Sequence, residues 1–593
     1  MEDKYSWNLT HIFENEEKFE ESVKEVYRML DVLKTFEGKL GESVDETYNC
    51  LKSLVYANEL FEKTYGYAML KYHQNMADPE ASKLYKRVVS IATDFSKAES
   101  YISPELSKIS DERLEEYLQD DRMKEFEKLI RDVIKEKKHI LSSEEEMLLA
   151  HYSEIFGAAE RAFDVFTNTE LEYPSIKDEN DQEVKMTTAL YSKYIMNKNE
   201  NVRNQAFDAM FLTYKKYINT IAELYLTRVK TSAITSKIRH YESSLDRATN
   251  NDDSNVKVYE TLIEQMNKHL YLNHDYLALK AKLLNKDKVH MYDVYVNPLD
   301  VDDRKVEYED AKGIVLNALS VMGEDYTKVV KEAMDNNWID VYEKENKMSG
   351  GYSMGIYGVH PYILLNYINS SRDVSTLAHE LGHTMHSYFS NKNQNAINAN
   401  YTIMVAEVAS TVNEIILANY LIENEEDKAK KASLINEQLD MIRATLVRQT
   451  MFAEFEKIMH DKYSNGEALT EENFSNTYYD LNKLYYGEDV VSDELIMYEW
   501  SRISHFYRPF YVYKYATGFS AALAIVSDIL NGKEGAQERY LEFLSSGGSD
   551  YPLEILKKCG VDMTTSEPIE KATKIFEDKL SMAMELKLKI RSK

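Results

Sequence analysis

The sequence predicts a mainly α-helical fold, and three observations lead to this expectation. Only 8 prolines and 19 glycines occur in 593 residues, so few positions can interrupt a helix. Apolar residues recur at three- and four-residue spacing between charged ones, as in residues 16–36 and 123–156. Segments that favour strands are short. We therefore expect a large multi-helix protein with a small β-sheet.

A chain of this length exceeds one ordinary hydrophobic core, so more than one domain is expected. The sequence favours an N-terminal helical region at 1–110, a helical subdomain with a hairpin at 111–195, and a larger domain at 196–593. The hairpin is predicted in residues 171–187, where an Asp-Glu-Asn-Asp turn separates two short extended runs. No fixed-period repeat or low-complexity linker marks a boundary.

Charge and apolar patterning argue against several classes of function. The formal charge is −29, and a nucleic-acid partner would need a cationic surface. No segment reaches the roughly 18 uninterrupted apolar residues of a membrane span; residues 519–530 come closest and are interrupted by Asp528. The N-terminus does not resemble a secretory signal, and Cys50 and Cys559 lie far apart in sequence. We expect a cytoplasmic protein without a nucleic-acid or membrane partner.

A short run, TLAHELGHTMHSYF at 376–389, contains three histidines and a glutamate within one predicted helix. We expect this helix to extend from about Val374 to Phe389, with Asp373 as its N-cap. On a helical wheel the large apolar residues lie on one side and the histidines on the opposite side. The helix is therefore predicted to have one face for the core and one for chemistry.

His379 and His383 lie one helical turn apart, so their imidazoles can bind one metal ion. Glu380 completes the H-E-x-x-H arrangement, in which the glutamate acts as general base. Gly382 is expected to leave the approach of a ligand open because it has no side chain. His386 is interpreted as a bystander, since it lies roughly 10 Å along the axis from His379. Two solvated histidines on a helix stay the alternative until a third ligand is found.

A second apolar helix, predicted within residues 401–422, carries Glu407 and Glu414 on one face. A buried carboxylate needs a partner, and a metal ion, an arginine or a proton each suffices. Two histidines, one glutamate and an open position for water make up a catalytic zinc site. We therefore predict Glu407 as the third ligand and Glu414 as the residue that orients an imidazole.

The segment SGGYSMGIYGVHPYILLNY, at 349–367, is rich in glycine and precedes the histidine helix. Its last six residues follow a proline and are predicted as an edge strand, to which an extended peptide can add. A purely structural hairpin is the alternative. Gly350, Gly351 and Tyr352 are the candidate substrate-binding residues of this segment.

With these motifs the chain resembles the M3 family of zinc metallopeptidases, specifically the oligoendopeptidase F branch. The similarity rests on HELGH, on AEVAST with its glutamate 24 positions after His383, and on the glycine-rich segment. Further matching stretches are SWNL, YDVYVNP, FYVYKYATG and SSGGSDYP, so the resemblance covers nearly the whole chain. It implies a two-lobed helical ellipsoid that encloses a deep cleft, with a thermolysin-like zincin core and one zinc ion.

The family also has a histidine and tyrosines near its C-terminus that face the substrate. The matching stretch is HFYRPFYVYKYATG, at 505–518. By this resemblance His505, Tyr511 and Tyr515 are candidate catalytic residues, and Tyr513 is a candidate for substrate binding. A helix would pair Tyr511 with Tyr515, whereas a strand would place all three tyrosines on one face. Which tyrosine donates to the oxyanion therefore stays open.

The sequence thus predicts a zinc endopeptidase that hydrolyses internal bonds of short unstructured peptides. Zinc on His379, His383 and Glu407 would activate water, with Glu380 as the base. A zinc carboxypeptidase on a related helical scaffold is one alternative. A helical peptide-binding protein with a structural zinc site is another, although such sites usually contain cysteine. The peptide preference and the oligomeric state are not predicted.

Overall fold

A computed structural model describes residues 4–299 and 305–590 of the chain. The outer ends of the predicted 1–110 and 196–593 regions, residues 1–3 and 591–593, lie outside the described residues. Within the described part about 71% of the residues are helical and the strands are short. The predicted mainly α-helical class is therefore confirmed.

The elements follow one another along the chain with short connections. The helices of the N-terminal half are α1 (Glu16–Lys34), α2 (Val44–Gln74), α3 (Pro79–Glu99), α4 (Ile102–Lys108), α5 (Asp111–Tyr117), α6 (Glu127–Glu136), α7 (Ser143–Phe156), α8 (Ala158–Val165), α9 (Thr188–Tyr194), α10 (Glu200–Lys216), α11 (Ile218–Ile238), α12 (Ser244–Asn251), α13 (Val256–Lys268) and α14 (Leu270–Leu283). Those of the C-terminal half are α15 (Tyr308–Ala318), α16 (Glu324–Asp335), α17 (Ser371–Asn393), α18 (Ile403–Asn424), α19 (Lys428–Ile442), α20 (Arg448–Ser464), α21 (Glu471–Tyr486), α22 (Tyr513–Leu530), α23 (Ala536–Ser546), α24 (Pro552–Lys558) and α25 (Glu567–Ile590). The strands are β1 (Ser175–Lys177), β2 (Glu183–Lys185), β3 (Val289–His290), β4 (Ile339–Tyr342), β5 (Tyr352–Met354), β6 (Tyr362–Tyr367) and β7 (Val490–Val491).

The chain divides into two compact units, each assembled from three separate segments. The first consists of Met1–Lys138, Asp303–Tyr420 and Ile525–Val561. The second consists of His139–Asp302, Leu421–Ala524 and Asp562–Lys593. The predicted histidine helix belongs to the first unit, and the His505–Tyr515 stretch belongs to the second. The three-part division favoured by the sequence stays a prediction.

In the first unit, helices α1, α2 and α3 pack against one another around one apolar core. Helix α1 contributes Phe19, Val23, Val26 and Leu30, which recur at three- and four-residue spacing and are all buried. This spacing places them on one face of the helix. The helix begins at an Asn15 cap, whose side chain accepts a hydrogen bond from the Lys18 backbone N–H.

The first unit also contains a three-stranded sheet in the order β4-β6-β5. Strand β6 pairs in parallel with β4 and antiparallel with β5, so the prediction of an edge strand at 362–367 is wrong. Pro361 lies before the strand, so its missing N–H group removes no ladder bond from β6. Five of the six β6 residues are buried, as expected for a central strand. A peptide cannot add to β6; the short strand β5 is at an edge.

Two further expectations about elements can be compared with the structure. Strands β1 and β2 pair antiparallel, which confirms the predicted hairpin. Helix α18, rather than residues 519–530, is the helix of the described chain that is long and apolar enough to cross a membrane. However, 67% of its apolar window is buried inside the protein, which is typical of a core helix.

Candidate active site

Helix α17 carries the H-E-x-x-H residues and begins one turn earlier than predicted. Its N-cap is Ser370, whose hydroxyl oxygen accepts a hydrogen bond from the Asp373 backbone N–H at 3.3 Å. In return, the Asp373 carboxylate accepts one from the Ser370 N–H at 2.8 Å. This reciprocal capping box satisfies the backbone N–H groups of Ser370 and Asp373. Asp373 acting alone as N-cap would satisfy fewer backbone N–H groups, so the prediction of Asp373 as N-cap is wrong.

Helices α17 and α18 touch backbone to backbone at Gly382. A Cβ atom at this position would lie 2.5 Å from the Ser410 Cα and 2.6 Å from the Ala409 carbonyl oxygen. No side chain fits at such a distance, so glycine is required for the close approach of the two helices. The expectation that Gly382 keeps the approach of a ligand open is wrong, since its Cβ position is directed at α18. This contact brings the histidines of α17 next to the glutamates of α18.

Three side chains come together where the two helices meet. The Nε2 atoms of His379 and His383 lie 3.1 Å apart, and the Glu407 Oε2 lies 3.9 Å from the His379 Nε2. Ligand atoms of these three residues all lie within 4.8 Å of one another. Two nitrogens bound tetrahedrally to zinc at about 2.0–2.1 Å lie about 3.3 Å apart, so the spacing suits one ion.

A fourth residue, Glu414, contacts one of these imidazoles. The Glu414 Oε2 lies 3.2 Å from the His379 Nδ1. Glu414 lies about two turns of α18 beyond Glu407. A hydrogen bond at Nδ1 keeps the lone pair of Nε2 available on the side that faces His383 and Glu407. Burial alone lowers the pKa of an imidazole, but the Glu414 carboxylate raises the pKa of His379 above its ordinary value. Burial and the nearby His379 lower the pKa of His383 to about 4.

Glu380 is buried beside the glycine-rich segment. Its Oε2 has no hydrogen-bond partner within the part of the chain that the structure describes. Burial raises the pKa of this carboxyl to about 7. A Cβ atom at Gly351 would lie 3.5 Å from the Glu380 Oε1, so the backbone of the segment passes directly over the carboxylate. Gly350, with φ of +85°, makes the turn that precedes it.

A cavity of about 210 Å³ in the first unit borders the glycine-rich segment and the start of α17. Its lining includes Gly350 and Gly351, which we predicted to bind substrate, and Thr376 of α17. Tyr352, the third predicted residue, is positioned differently: its hydroxyl lies 2.8 Å from the His73 Nδ1. The glycines therefore border an open space, and Gly351 also approaches Glu380, whereas the Tyr352 hydroxyl is bonded to α2.

His386 and Asn413 are structural neighbours of this group. The His386 ring is buried and stacks on Tyr401 with the ring centroids 3.6 Å apart, in agreement with its interpretation as a bystander. Asn413 was missed by the sequence analysis. Its buried amide donates to the Ala378 carbonyl at 3.1 Å and accepts from the Tyr326 hydroxyl at 2.7 Å. The sequence signal for Asn413 was a polar residue within the otherwise apolar sequence of α18. A buried amide is normally hydrogen-bonded, so this position needed partners.

The second unit brings His505, Tyr511 and Tyr515 together. The Tyr515 hydroxyl lies 3.4 Å from the His505 Nε2, and the two tyrosine ring centroids lie 5.6 Å apart. Helix α22 begins at Tyr513, so Tyr515 lies on the helix and Tyr511 lies just before it, and their ring contact is the pairing that the helical alternative predicted. Phe510, with φ of +60°, forms the turn ahead of them and donates its N–H to Glu456 at 2.6 Å.

Tyr513 is placed differently from its two neighbours. Its ring is fully buried, and its hydroxyl donates to Asp252 at 3.3 Å. The structure therefore does not support the predicted role of Tyr513 in substrate binding. On a helix, positions 513 and 515 are separated by about 200° and cannot share a face.

Comparisons with known proteins show the family of the chain. The profile of peptidase family M3 matches residues 193–575, and an oligopeptidase F profile matches residues 105–173. Oligopeptidase PepF of Bacillus subtilis (strain 168) is 40% identical over 99% of this chain and 88% of its own length. A crystal structure from Chlamydophila abortus superposes with a TM-score of 0.93 at 33% identity and covers 98% of both chains. Oligoendopeptidase-F from Enterococcus faecium gives a TM-score of 0.72 at 34% identity, over 96% of this chain and 99% of its own.

Both the matched profiles and the full-length relatives lead to one classification. The chain belongs to the oligoendopeptidase F branch of peptidase family M3, and it is a metallopeptidase.

Proposed function

We propose that this protein is a zinc-dependent endopeptidase that hydrolyses internal bonds of short, unstructured oligopeptides. The observation that carries the proposal is the convergence of His379, His383 and Glu407 next to the buried, unpaired Oε2 of Glu380. Family membership establishes a metallopeptidase. The names of the relatives, oligopeptidase and oligoendopeptidase, support small peptides as substrates and internal cleavage.

The donor set of the site suits zinc better than other common ions. Two imidazole nitrogens and one carboxylate oxygen form the His₂Glu set of hydrolytic zinc sites, whereas calcium and magnesium prefer oxygen ligands. When bound by these residues, the ion supplies Lewis acidity toward water and the scissile carbonyl. Among the described residues the group contains three such ligands and no cysteine, which favours a catalytic over a structural site.

Glu380 moves the proton in the reaction that we propose. Its Oε2 accepts a proton from the attacking water and then delivers it to the nitrogen of the leaving amine. Within the described chain the buried Oε2 has no hydrogen-bond partner, so a donor from water or substrate would satisfy it. Glu414 has a positioning role, since its contact with the His379 Nδ1 determines which imidazole nitrogen is left for a metal.

The substrate backbone is proposed to add as an extended strand at β5. Strand β5 is an edge of the sheet, and Ser353 at its centre has backbone contact with Glu380. A peptide paired with this edge would extend beside the cavity of Gly350 and Gly351. His505, Tyr511 and Tyr515 are proposed to stabilise the oxyanion, with the Tyr511–Tyr515 pair supplying the phenol.

One experiment separates this function from its alternatives. The purified protein is incubated with a quenched-fluorescence peptide that is blocked at both ends, and the products are identified by mass spectrometry. We expect internal cleavage that stops when a chelator removes the metal and returns when zinc is added. An intact blocked peptide, together with loss of the last residue from an unblocked one, would instead identify a carboxypeptidase. A cytoplasmic location, and the expectation of no nucleic-acid or membrane partner, stay predictions from the sequence.

A further inference from the structure

The second unit contains a cavity of about 350 Å³ at which four cationic side chains meet. Arg228 comes from α11, Arg247 from α12, Arg508 from the turn before α22, and Lys514 from α22 itself. In a protein with a net charge of −29, such a local excess of positive charge stands against the overall composition.

Two of the four cations are paired with carboxylates. The Lys514 Nζ lies 2.6 Å from the Asp252 Oδ1, and the Arg508 Nε lies 3.5 Å from the Glu160 Oε1. Asp252 also lines the cavity and accepts the hydrogen bond from Tyr513. These pairs leave Arg508 and Lys514 largely compensated, so the excess charge resides on the other two arginines.

Arg228 and Arg247 have no such partner. Within the described chain neither guanidinium forms an ion pair, and the buried Arg228 Nε has no hydrogen-bond acceptor. Burial is the main reason that the pKa of each guanidinium is lowered, and for Arg247 the neighbouring Arg239 and Arg228 lower it further. Both side chains nevertheless stay charged, because arginine does not lose its proton in proteins.

Two acids act electrostatically on Arg228 without an ion pair to it, and Glu160, which is shared with Arg508, acts more strongly than Glu456. Glu456 acts electrostatically on Arg228 but is fully buried, and burial raises the pKa of its carboxyl well above the ordinary range. Ser244, which lines the cavity, adds a buried hydroxyl without a hydrogen-bond partner in the described structure. Two half-buried arginines without an ion-pair partner and a buried hydroxyl are together a donor set for an anion.

We propose that this cavity binds an organic oxyanion, whose carboxylate or phosphate group lies between the guanidiniums of Arg228 and Arg247. The planar fork of arginine matches these groups with two parallel hydrogen bonds. The volume of about 350 Å³ is in the range of small-molecule sites and far exceeds a single inorganic ion. The carboxylate would come from a peptide, and the phosphate from a phosphorylated metabolite.

Calorimetry on the full-length protein tests the proposal with inorganic phosphate, phosphoserine, succinate, and one short peptide as the C-terminal acid and as the amide. The peptide arms use the Glu380→Gln variant, which prevents turnover. We expect binding of at least one anionic probe, with a Kd that rises by roughly tenfold or more in Arg228→Gln and in Arg247→Gln. The matched control Lys230→Gln removes an exposed charge from the same helix α11 and should leave the Kd unchanged.

The probes distinguish the two sources of the anion. Binding of the peptide acid but not of the amide identifies a peptide carboxylate, and binding of phosphoserine and phosphate alone identifies a phosphate group. Absence of binding by every probe at millimolar concentration would overturn the proposal, as would an unchanged Kd in the double arginine variant. If an arginine variant does not fold, phenylglyoxal labelling of the wild type replaces it. The bound anion must then protect Arg228 and Arg247 from modification, and equal labelling with and without the anion would contradict the site.

Discussion

The two regions that carry the predicted catalytic residues are held in different ways. In the first unit, His379 and His383 lie on a 23-residue helix, and Gly382 locks that helix against α18 at backbone contact. In the second unit, His505 lies in a four-residue 3-10 helix and Tyr511 just before α22, and the contact from His505 to Tyr515 is a long 3.4 Å. His505 is also exposed, whereas Glu380 is buried.

The difference agrees with the role of each region in the proposed reaction. A metal site needs ligands held to within a few tenths of an ångström, and packed helices supply that precision. Groups that contact a variable peptide gain from residues on turns, which adjust more readily than residues inside helices. The metal ligands of the first region and the groups that hold them should therefore respond to mutation through metal affinity and stability, whereas the base Glu380 and the second region should respond through turnover.

The largest expected effect is at Glu380. Replacing Glu380 with Gln removes the proton acceptor but keeps the size of the side chain, so kcat should fall by roughly 10²- to 10⁴-fold. Zinc content, measured by elemental analysis, should stay at one ion per chain. Turnover comparable with the wild type would remove Glu380 from the mechanism. Loss of zinc together with activity would show that Glu380 supports the metal site instead.

The second effect tests the tyrosine pair. The two test variants are Tyr511→Phe and Tyr515→Phe. The one that removes the oxyanion donor should reduce kcat by roughly 10²- to 10³-fold without a change in zinc content. Tyr513→Phe is the matched control in the same stretch. Its hydroxyl is bonded to Asp252, so this variant should keep kcat and lose only a little stability. Wild-type kcat in both test variants would exclude the pair.

A smaller effect is expected at Glu414. In Glu414→Gln the charge that acts on the His379 Nδ1 is lost, so zinc affinity should fall by roughly 10- to 100-fold. Competition with a chromophoric chelator measures the affinity, and kcat at saturating zinc should change much less. An unchanged zinc affinity would show that Glu414 does not position His379 for the metal.

The smallest effect concerns the helix contact at Gly382. The Cβ atom of Gly382→Ala would meet the backbone of α18 at 2.5 Å, so the free energy of unfolding should fall by about 1–3 kcal/mol. Zinc affinity should fall with it. Gly313→Ala in α15 is the control, because nothing lies within 4 Å of that Cβ position; this variant should be slightly stabilised. Thermal unfolding measures both variants, and equal stability would show that the helices can separate without cost.

The sequence predicted the three side chains that converge at the candidate metal site, because its signals are local. His379 and His383 lie one turn apart on any α-helix, so their common face follows from helical geometry alone. Glu407 and Glu414 were recognisable because acids are rare in an otherwise apolar helix and need a partner there. The fold class followed from the scarcity of prolines and glycines, which is a property of composition.

Predictions failed where the deciding partner is distant in the chain. Strand β6 was expected at an edge, but β4, more than 20 residues earlier, covers its other side. The function of Gly382 depends on Ser410 of another helix, and the burial of Tyr513 depends on Asp252. None of these partners leaves a periodic mark around the residue that it affects, so pattern analysis had no signal for them.

The amino-acid sequence by itself determined the helical class, the metal-binding residue types and their spacing along two helices, because these follow from local periodicity and from the cost of burying charge. Only the tertiary structure decided which strand is at the sheet edge, why glycine is needed at position 382, and that Arg228 and Arg247 share a cavity. These features depend on contacts between segments far apart in the chain, and such contacts form only when the whole chain has folded.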